Sequence, residues 1–206
     1  MKKMISAVFL GVLLMGLLSA CSTTQKITNS ARTATEQLLL SEAISRSLSK
    51  QIDSPLPMPK GAIIKLDVAG LTPDKDMAKG VVAGWLGLLG YTAQDGAEKA
   101  THRINVVIDS LGSETGNTFF GIPPIQASLI PISLPELALF KADLQSGYAK
   151  FHLDVFEMPS GRFITSSAPF TAGTYYNAYT LLFLISFHRT DLNSPPKLSI
   201  FPKWTN

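Results

Sequence analysis

The side chains in this 206-residue chain that could do chemistry are a single cysteine, three histidines, scattered carboxylates and a few hydroxyls flanked by glycine. His102, His152 and His188 lie far apart, with no His-x-His, no His-Glu-x-x-His and no cysteine partner. The local spacing of a zinc site is therefore missing. His152 and Asp154 fall on one face of an expected strand, where a solvated charge pair is the ordinary arrangement. Gly112-Ser113-Glu114-Thr115-Gly116 has glycines and hydroxyls but opens no helix and carries no lysine, so it reads as a turn and not as a phosphate cradle. His188-Arg189-Thr190-Asp191 follows a wholly apolar run. Its charges are expected to cap that element or pair with other strands, ligand binding being the alternative. Carboxylate pairs for glycoside hydrolysis are remote along a chain, and nothing singles one out. No catalytic residue, metal ligand or cofactor is assigned, and the reading is non-enzymatic, with a hydrolase of envelope polymers as a minor alternative.

The thiol is different. Cys21 follows Leu18-Ser19-Ala20 at the end of an apolar run, Ile5 to Leu18, that begins just after Lys2 and Lys3. A basic start, a short apolar stretch and small residues at its end are the layout of a secretory signal peptide. The run stops short of the roughly 20 apolar residues that a spanning helix needs. Leu18-Ser19-Ala20-Cys21 resembles the bacterial lipoprotein signal, which implies cleavage before Cys21 and acylation of its sulfur and new amine. Two or more acyl chains anchor a protein stably, where one holds it only marginally. Ser22 in place of Asp after the cysteine implies, by the same resemblance, the outer membrane facing the periplasm.

Removal of residues 1–20 leaves 186 of the 206 residues, enough for one domain with a real core. The leader takes two of the 18 basic residues, so 16 face 15 acidic ones. Near-neutral charge without a Lys/Arg run argues against a nucleic-acid partner. With Cys21 consumed by acylation there is no disulfide, so packing must stabilise an exported fold.

The elements expected along the chain begin after a polar Ser/Thr-rich tether, residues 21–33. Thr33-Ala34-Thr35-Glu36 fits a capping box. Leu40, Ala43, Ile44, Leu48 and Ile52 then recur at helical spacing, predicting an amphipathic helix over 34–51. Pro55, Pro57 and Pro59 interrupt. Ile64, Leu66 and Val68 alternate with Lys65 and Asp67 as a half-buried strand does. Thr72-Pro73 offers an N-cap and a first-turn proline to a second helix running to Gly90. Gly80, Gly84 and Gly87 line one side of it, and their cost to helix stability suggests close approach of another backbone. Tyr91 to Gln94 and then Ile104, Val106 and Ile108 read as further strands.

From Thr118 to Leu139 neither period holds. Phe119, Phe120, Ile122, Ile125, Leu129 and Ile130 combine with repeated prolines into a long apolar insertion. It is either a lid over the core, a protein or membrane contact, or a pocket wall. Tyr148 to Glu157 alternates again, Pro159-Ser160-Gly161 turns the chain, and Arg162 to Ser167 returns as a hairpin partner. Tyr175 to Phe187 could be a buried strand or a buried helix. The resulting fold class is α+β, an antiparallel or mixed sheet backed by two helices and preceded by a lipoprotein signal peptide. Residues 34–193 are read as a single domain and 194–206 as an irregular tail.

Four stretches, Thr28 to Ser41, Phe119 to Pro123, Pro135 to Lys141 and Phe187 to Asp191, together resemble an uncharacterised family of bacterial lipoproteins defined only as a domain of unknown function. That resemblance implies a lipid anchor and no activity. More loosely, Val68 to Gly112 is similar to periplasmic lipoprotein domains of the curli secretion channel type, which implies oligomers whose hairpins cross the outer membrane. The expectation is a membrane-anchored envelope lipoprotein with a structural or interaction role, contacting a protein partner or itself through 118–135. The alternative is a pore or secretion-channel subunit, with Lys150, His152 and Asp154 on the lumen side.

Overall fold

A computed structural model describes residues 32–50, 56–126, 133–134 and 136–195, with the backbone alone for 125–126 and 133–134. The leader, Leu18, Ser19, Ala20 and Cys21 lie outside the described residues, as do Leu129, Ile130 and the side chain of Ile125. The fold is α+β, with two helices and a seven-stranded mixed sheet among the described residues.

Helix α1, Ala34–Ser49, starts at the expected capping box. Thr33 accepts from the Glu36 N–H, and the Glu36 carboxylate accepts from the Thr33 N–H at 2.8 Å. Strand β1, Ile63–Ala69, is followed by helix α2, Lys75–Leu88, and by strand β2, Thr92–Gln94. The start of α2 differs from expectation. Asp74, not Thr72, is the N-cap, and it makes no side-chain capping bond. Its carboxylate is occupied by Arg32, at 2.6 and 3.1 Å, while Thr72 Oγ1 accepts from the Asp74 N–H at 3.2 Å. The proline therefore precedes the helix. The glycines of α2 also differ, because a Cβ at Gly80, Gly84 or Gly87 would meet nothing within 4 Å. The close approach is elsewhere.

Strands β3, His102–Ile122, and β6, Leu137–Glu157, have 21 residues each and are far longer than their clearest alternating cores. Gly112 to Gly116 is thus strand and not a turn. The insertion at 118–135 is partly strand too: Thr118 to Ile122 ends β3, and β4, Ile125–Gln126, pairs antiparallel with β5, Ser133–Leu134. Proline spacing hid this, since the repeated prolines fall between strand ends. Strand β7, Phe163–Ser166, returns along β6 as expected. The undecided Tyr175 to Phe187 run becomes a hairpin of β8, Phe170–Leu181, and β9, Ile185–Thr190.

The sheet order is β2-β1-β3-β6-β8-β9, with β7 also on β6. β1 is parallel to both β2 and β3, with Leu66 beside Ile104 and Val68 beside Val106. Within the span read as one domain the described residues form two compact units. One comprises the described residues of 32–114, 146–176 and 191–195, and the other those of 115–145 and 177–190.

The first, helix-backed unit contains the hydrophobic core. Leu40, Ile44 and Leu48 of α1 and Ala78, Val82 and Leu86 of α2 cover Ile64, Leu66, Ile104, Val106, Phe151, Leu153 and Val155. Phe151 stacks on Phe170, and Phe170 meets Trp85 edge-on, with centroids 5.2 and 5.6 Å apart. Gly147 is where backbones come close. A Cβ there would lie 2.8 Å from the Leu39 carbonyl of α1, and buried Thr174 donates to that carbonyl at 2.9 Å.

Candidate functional site

The second unit has no helix among its described residues, and no described helix covers half of each strand's alternation. Phe119, Ala138 and Ala142 are buried, while Phe120, Ile122, Leu137, Leu139 and Leu144 are exposed. Gly121 places these side chains. A Cβ on it would sit 2.2 Å from the Leu137 carbonyl oxygen and 3.0 Å from Ala138 Cα, so β3 and β6 can approach only with glycine there. Gly121 and Ala138 are buried, while Phe120, Ile122, Leu137 and Leu139, their neighbours along the two strands, are exposed.

The turn between β8 and β9 adjoins the same strand. The Leu182 N–H donates to the Leu139 carbonyl at 2.9 Å and the Phe183 N–H to the Ala138 carbonyl at 2.8 Å. The Leu184 N–H closes the turn onto Leu181 at 3.3 Å. Leu182 and Phe183 both have positive φ, 48° and 51°. A turn with positive φ at both central residues favours Asn-Gly, and an L-residue with a large side chain costs about 1–2 kcal/mol in that conformation. Apolar bulk is held there against backbone preference. Leu182, Phe183, Leu184 and Ile185 are 57, 55, 78 and 56% exposed, so this is an apolar tip and not a packed turn. On the same unit Tyr179 and Phe187 stack at 5.2 Å, which supports the hairpin stem.

The contact residues expected from sequence therefore divide. Phe120 and Ile122 are presented outward, and Phe119 is buried. The lid alternative does not describe Phe120 or Ile122. Sequence reasoning missed Leu137, Leu139 and the 182–185 tip. The signal available was the unbroken run Leu181 to Ile185 without a turn residue, which read as interior.

Two of the charged groups singled out in the sequence, Asp191 and His152, have charged neighbours. Asp191 accepts from Arg46 Nη1 of α1 at 2.5 Å and from the Tyr175 N–H at 2.8 Å. Burial lowers the Arg46 pKa, but hydrogen bonds and charge from Asp191 and Glu42 outweigh it and hold the guanidinium above its ordinary value. His152 lies 3.6 Å from Asp109 and 3.9 Å from Asp154, too far for hydrogen bonds. Among the described residues no group of three His, Cys, Asp or Glu side chains is placed to hold a metal. No described helix is long and apolar enough to cross a membrane, which says nothing of strands.

No family model and no curated protein matches the chain. Among solved structures, a neuraminyllactose-binding hemagglutinin homolog from Helicobacter pylori aligns at 16% identity over 57% of this chain and 70% of that one. The TM-score is 0.21.

Proposed function

We propose that the protein is a membrane-anchored envelope lipoprotein with a structural or interaction role, lipidated at Cys21 and held at the outer membrane facing the periplasm. The resemblance of Leu18-Ser19-Ala20-Cys21 to the lipoprotein signal supports the anchor. The contact role rests on one observation, the exposed apolar surface formed by Phe120, Ile122, Leu137, Leu139 and the 182–185 tip. Full burial of a large apolar side chain contributes about 1.5–3 kcal/mol. A tip of four such residues is thus a substantial incentive to be covered by a partner protein, a second copy or the bilayer.

Photo-crosslinkers placed at Phe120, Leu139 and Phe183 in cells should capture protein or lipid, and the same probes at Glu98 or Ser160 should not. If no position on the surface gives an adduct, the contact role is wrong. Labelled palmitate should enter the protein and be lost in Cys21→Ser.

A pore subunit is the second reading, favoured by the 21-residue length of β3 and β6 against the roughly 9–11 needed to cross. Its wall would have to come from 115–122 and 137–145. The 148–157 stretch buries Ala149, Phe151, Leu153 and Val155 under the helices, so that face has no access to lipid. Conductance across planar bilayers separates this reading from the first.

A further inference from the structure

The tip of the β8–β9 hairpin, Leu181 to Ile185, is an unbroken apolar run, and its last four residues are each more than half exposed. An exposed turn ordinarily offers its backbone donors to water. This one does not. The Leu182 and Phe183 N–H groups donate to the Leu139 and Ala138 carbonyls at 2.9 and 2.8 Å, and the Leu184 N–H donates to the Leu181 carbonyl at 3.3 Å. Hydrocarbon admits only backbone whose polar groups are satisfied within the protein. A protein partner adding a strand would need free donors, and these three are taken.

The stem behind the tip is graded as a boundary between lipid and water requires. Thr180 and Ser186, the hydroxyls that flank the apolar run, share a hydrogen bond at 3.2 Å. One residue further from the apex, Tyr179 and Phe187 stack with their centroids 5.2 Å apart. Aromatic rings collect at the level where one end is apolar and the other wet. The first fixed charge along either strand, Arg189, comes two residues after Phe187. Phe183 lies three residues beyond the hydroxyl pair, about 10 Å at ~3.3 Å per residue. Interfacial segments sink their apolar faces about 5–10 Å.

The lipid anchor brings a bilayer within range. The chain enters the described fold at Arg32, whose Nη1 donates to Ser113 Oγ of β3 at 3.0 Å. Seven residues of β3 separate Ser113 from Phe120, a contour of about 24 Å at ~3.4 Å per residue. Next to Phe120, Gly121 lies against the backbone of Leu137 to Leu139, and the Leu139 carbonyl holds the tip. Eleven residues separate Cys21 from Arg32, and an extended chain of that length reaches up to about 40 Å. The tether is thus longer than the strand it has to span. We infer that Leu182 to Ile185 insert into the acyl layer of the bilayer that anchors Cys21. The inference rests on the proposed anchor and contact role, and names lipid as the cover of the tip.

The test uses the acylated protein reconstituted in vesicles of phosphatidylethanolamine and phosphatidylglycerol, with an environment-sensitive dye on Phe183→Cys. Ser160→Cys, in the helix-backed unit, is the comparison. Flotation with the vesicles reports the anchor, and the dye reports the tip. The dye at 183 should shift to the blue, be quenched by lipids brominated along their acyl chains, and lose its quenching by aqueous iodide. The dye at 160 should do none of these. Adding Leu184→Asp puts a charge where hydrocarbon would have to hold it. That variant should lose the blue shift and the bromine quenching, with flotation and melting temperature unchanged. A dye at 183 that stays open to iodide on floating vesicles overturns the insertion and leaves the anchor standing. A blue-shifted dye that the bromines do not reach also overturns it, and identifies protein as the cover. Protein that no longer floats overturns the insertion and the anchor together.

Discussion

The two units solve the same problem differently. In the helix-backed unit, α1 and α2 cover one face of the sheet, so alternation along β1, β3 and β6 becomes a closed core. In the 115–145 and 177–190 unit the same strands continue with no helix among the described residues, and alternation leaves Phe120, Leu139 and their neighbours exposed. Strand periodicity fixes which residues share a face. Only the presence or absence of a second layer decides whether that face is interior or contact surface.

The sharpest way to break the comparison is to truncate one phenylalanine in each unit. Phe151 is 1% exposed and stacked on Phe170, so Phe151→Ala should cost about 3–5 kcal/mol in denaturant unfolding. Phe183 is more than half exposed, and Phe183→Ala should stay within about 0.5 kcal/mol of the parent. Comparable losses would mean that the tip is covered by its own chain.

Asp191→Ala comes next. It removes the carboxylate acceptor for Arg46 and for the Tyr175 N–H at once, and leaves a half-buried guanidinium with Glu42 and the backbone carbonyl of residue 191. A loss of about 1–3 kcal/mol is expected by thermal or urea unfolding. A loss below about 0.5 kcal/mol would show the cluster to be ordinary surface charge.

The third test separates stability from contact in the second unit. Leu182→Asn with Phe183→Gly supplies the residues this turn prefers, and should raise stability by on the order of 1 kcal/mol. The same pair should abolish crosslinking from a probe at Leu139. Stability rising while contact is lost would identify the strained tip as kept for its side chains. Destabilisation would mean that the apolar turn serves the fold.

Much of the helix-backed unit was legible because its signals are local and agree with one another. The Thr33–Glu36 box, the Leu40–Ile44–Leu48 stripe and the Ile64–Leu66–Val68 alternation each point to the observed element. Two local signals misled. Thr72-Pro73 resembles a helix start, but the distant Arg32 engages Asp74 and shifts the cap. Gly80, Gly84 and Gly87 suggest close packing, yet the tight contact is at Gly147, where nothing in the flanking sequence announces a helix carbonyl. In the second unit the signals conflict. Prolines at 123, 124 and 131 disguise two long strands, and a hairpin turn without Gly, Asn or Asp is invisible to turn chemistry. Its exposure goes with the lack of a second layer among the described residues, which no single segment encodes.

The smallest effect concerns charges on the surface of the helix-backed unit. The Arg162 Nε hydrogen bond at 3.0 Å, the Arg162 charge and the Ser160 hydroxyl hold the Glu157 carboxyl below its ordinary value. Because folding depresses this pKa, the unfolded chain binds the proton more readily. The contribution is whole above the ordinary glutamate value, near pH 4.5, and is lost as pH falls through the folded value. The Glu157 side chain is 44% exposed at the turn leading to β7, so solvent screens most of it. Urea midpoints for Glu157→Gln should therefore lie only slightly below the parent at pH 7 and coincide with it at pH 3. A gap at pH 7 as wide as that of Asp191→Ala would mean that this turn, and not only the layer of helices, holds β6 and β7 together.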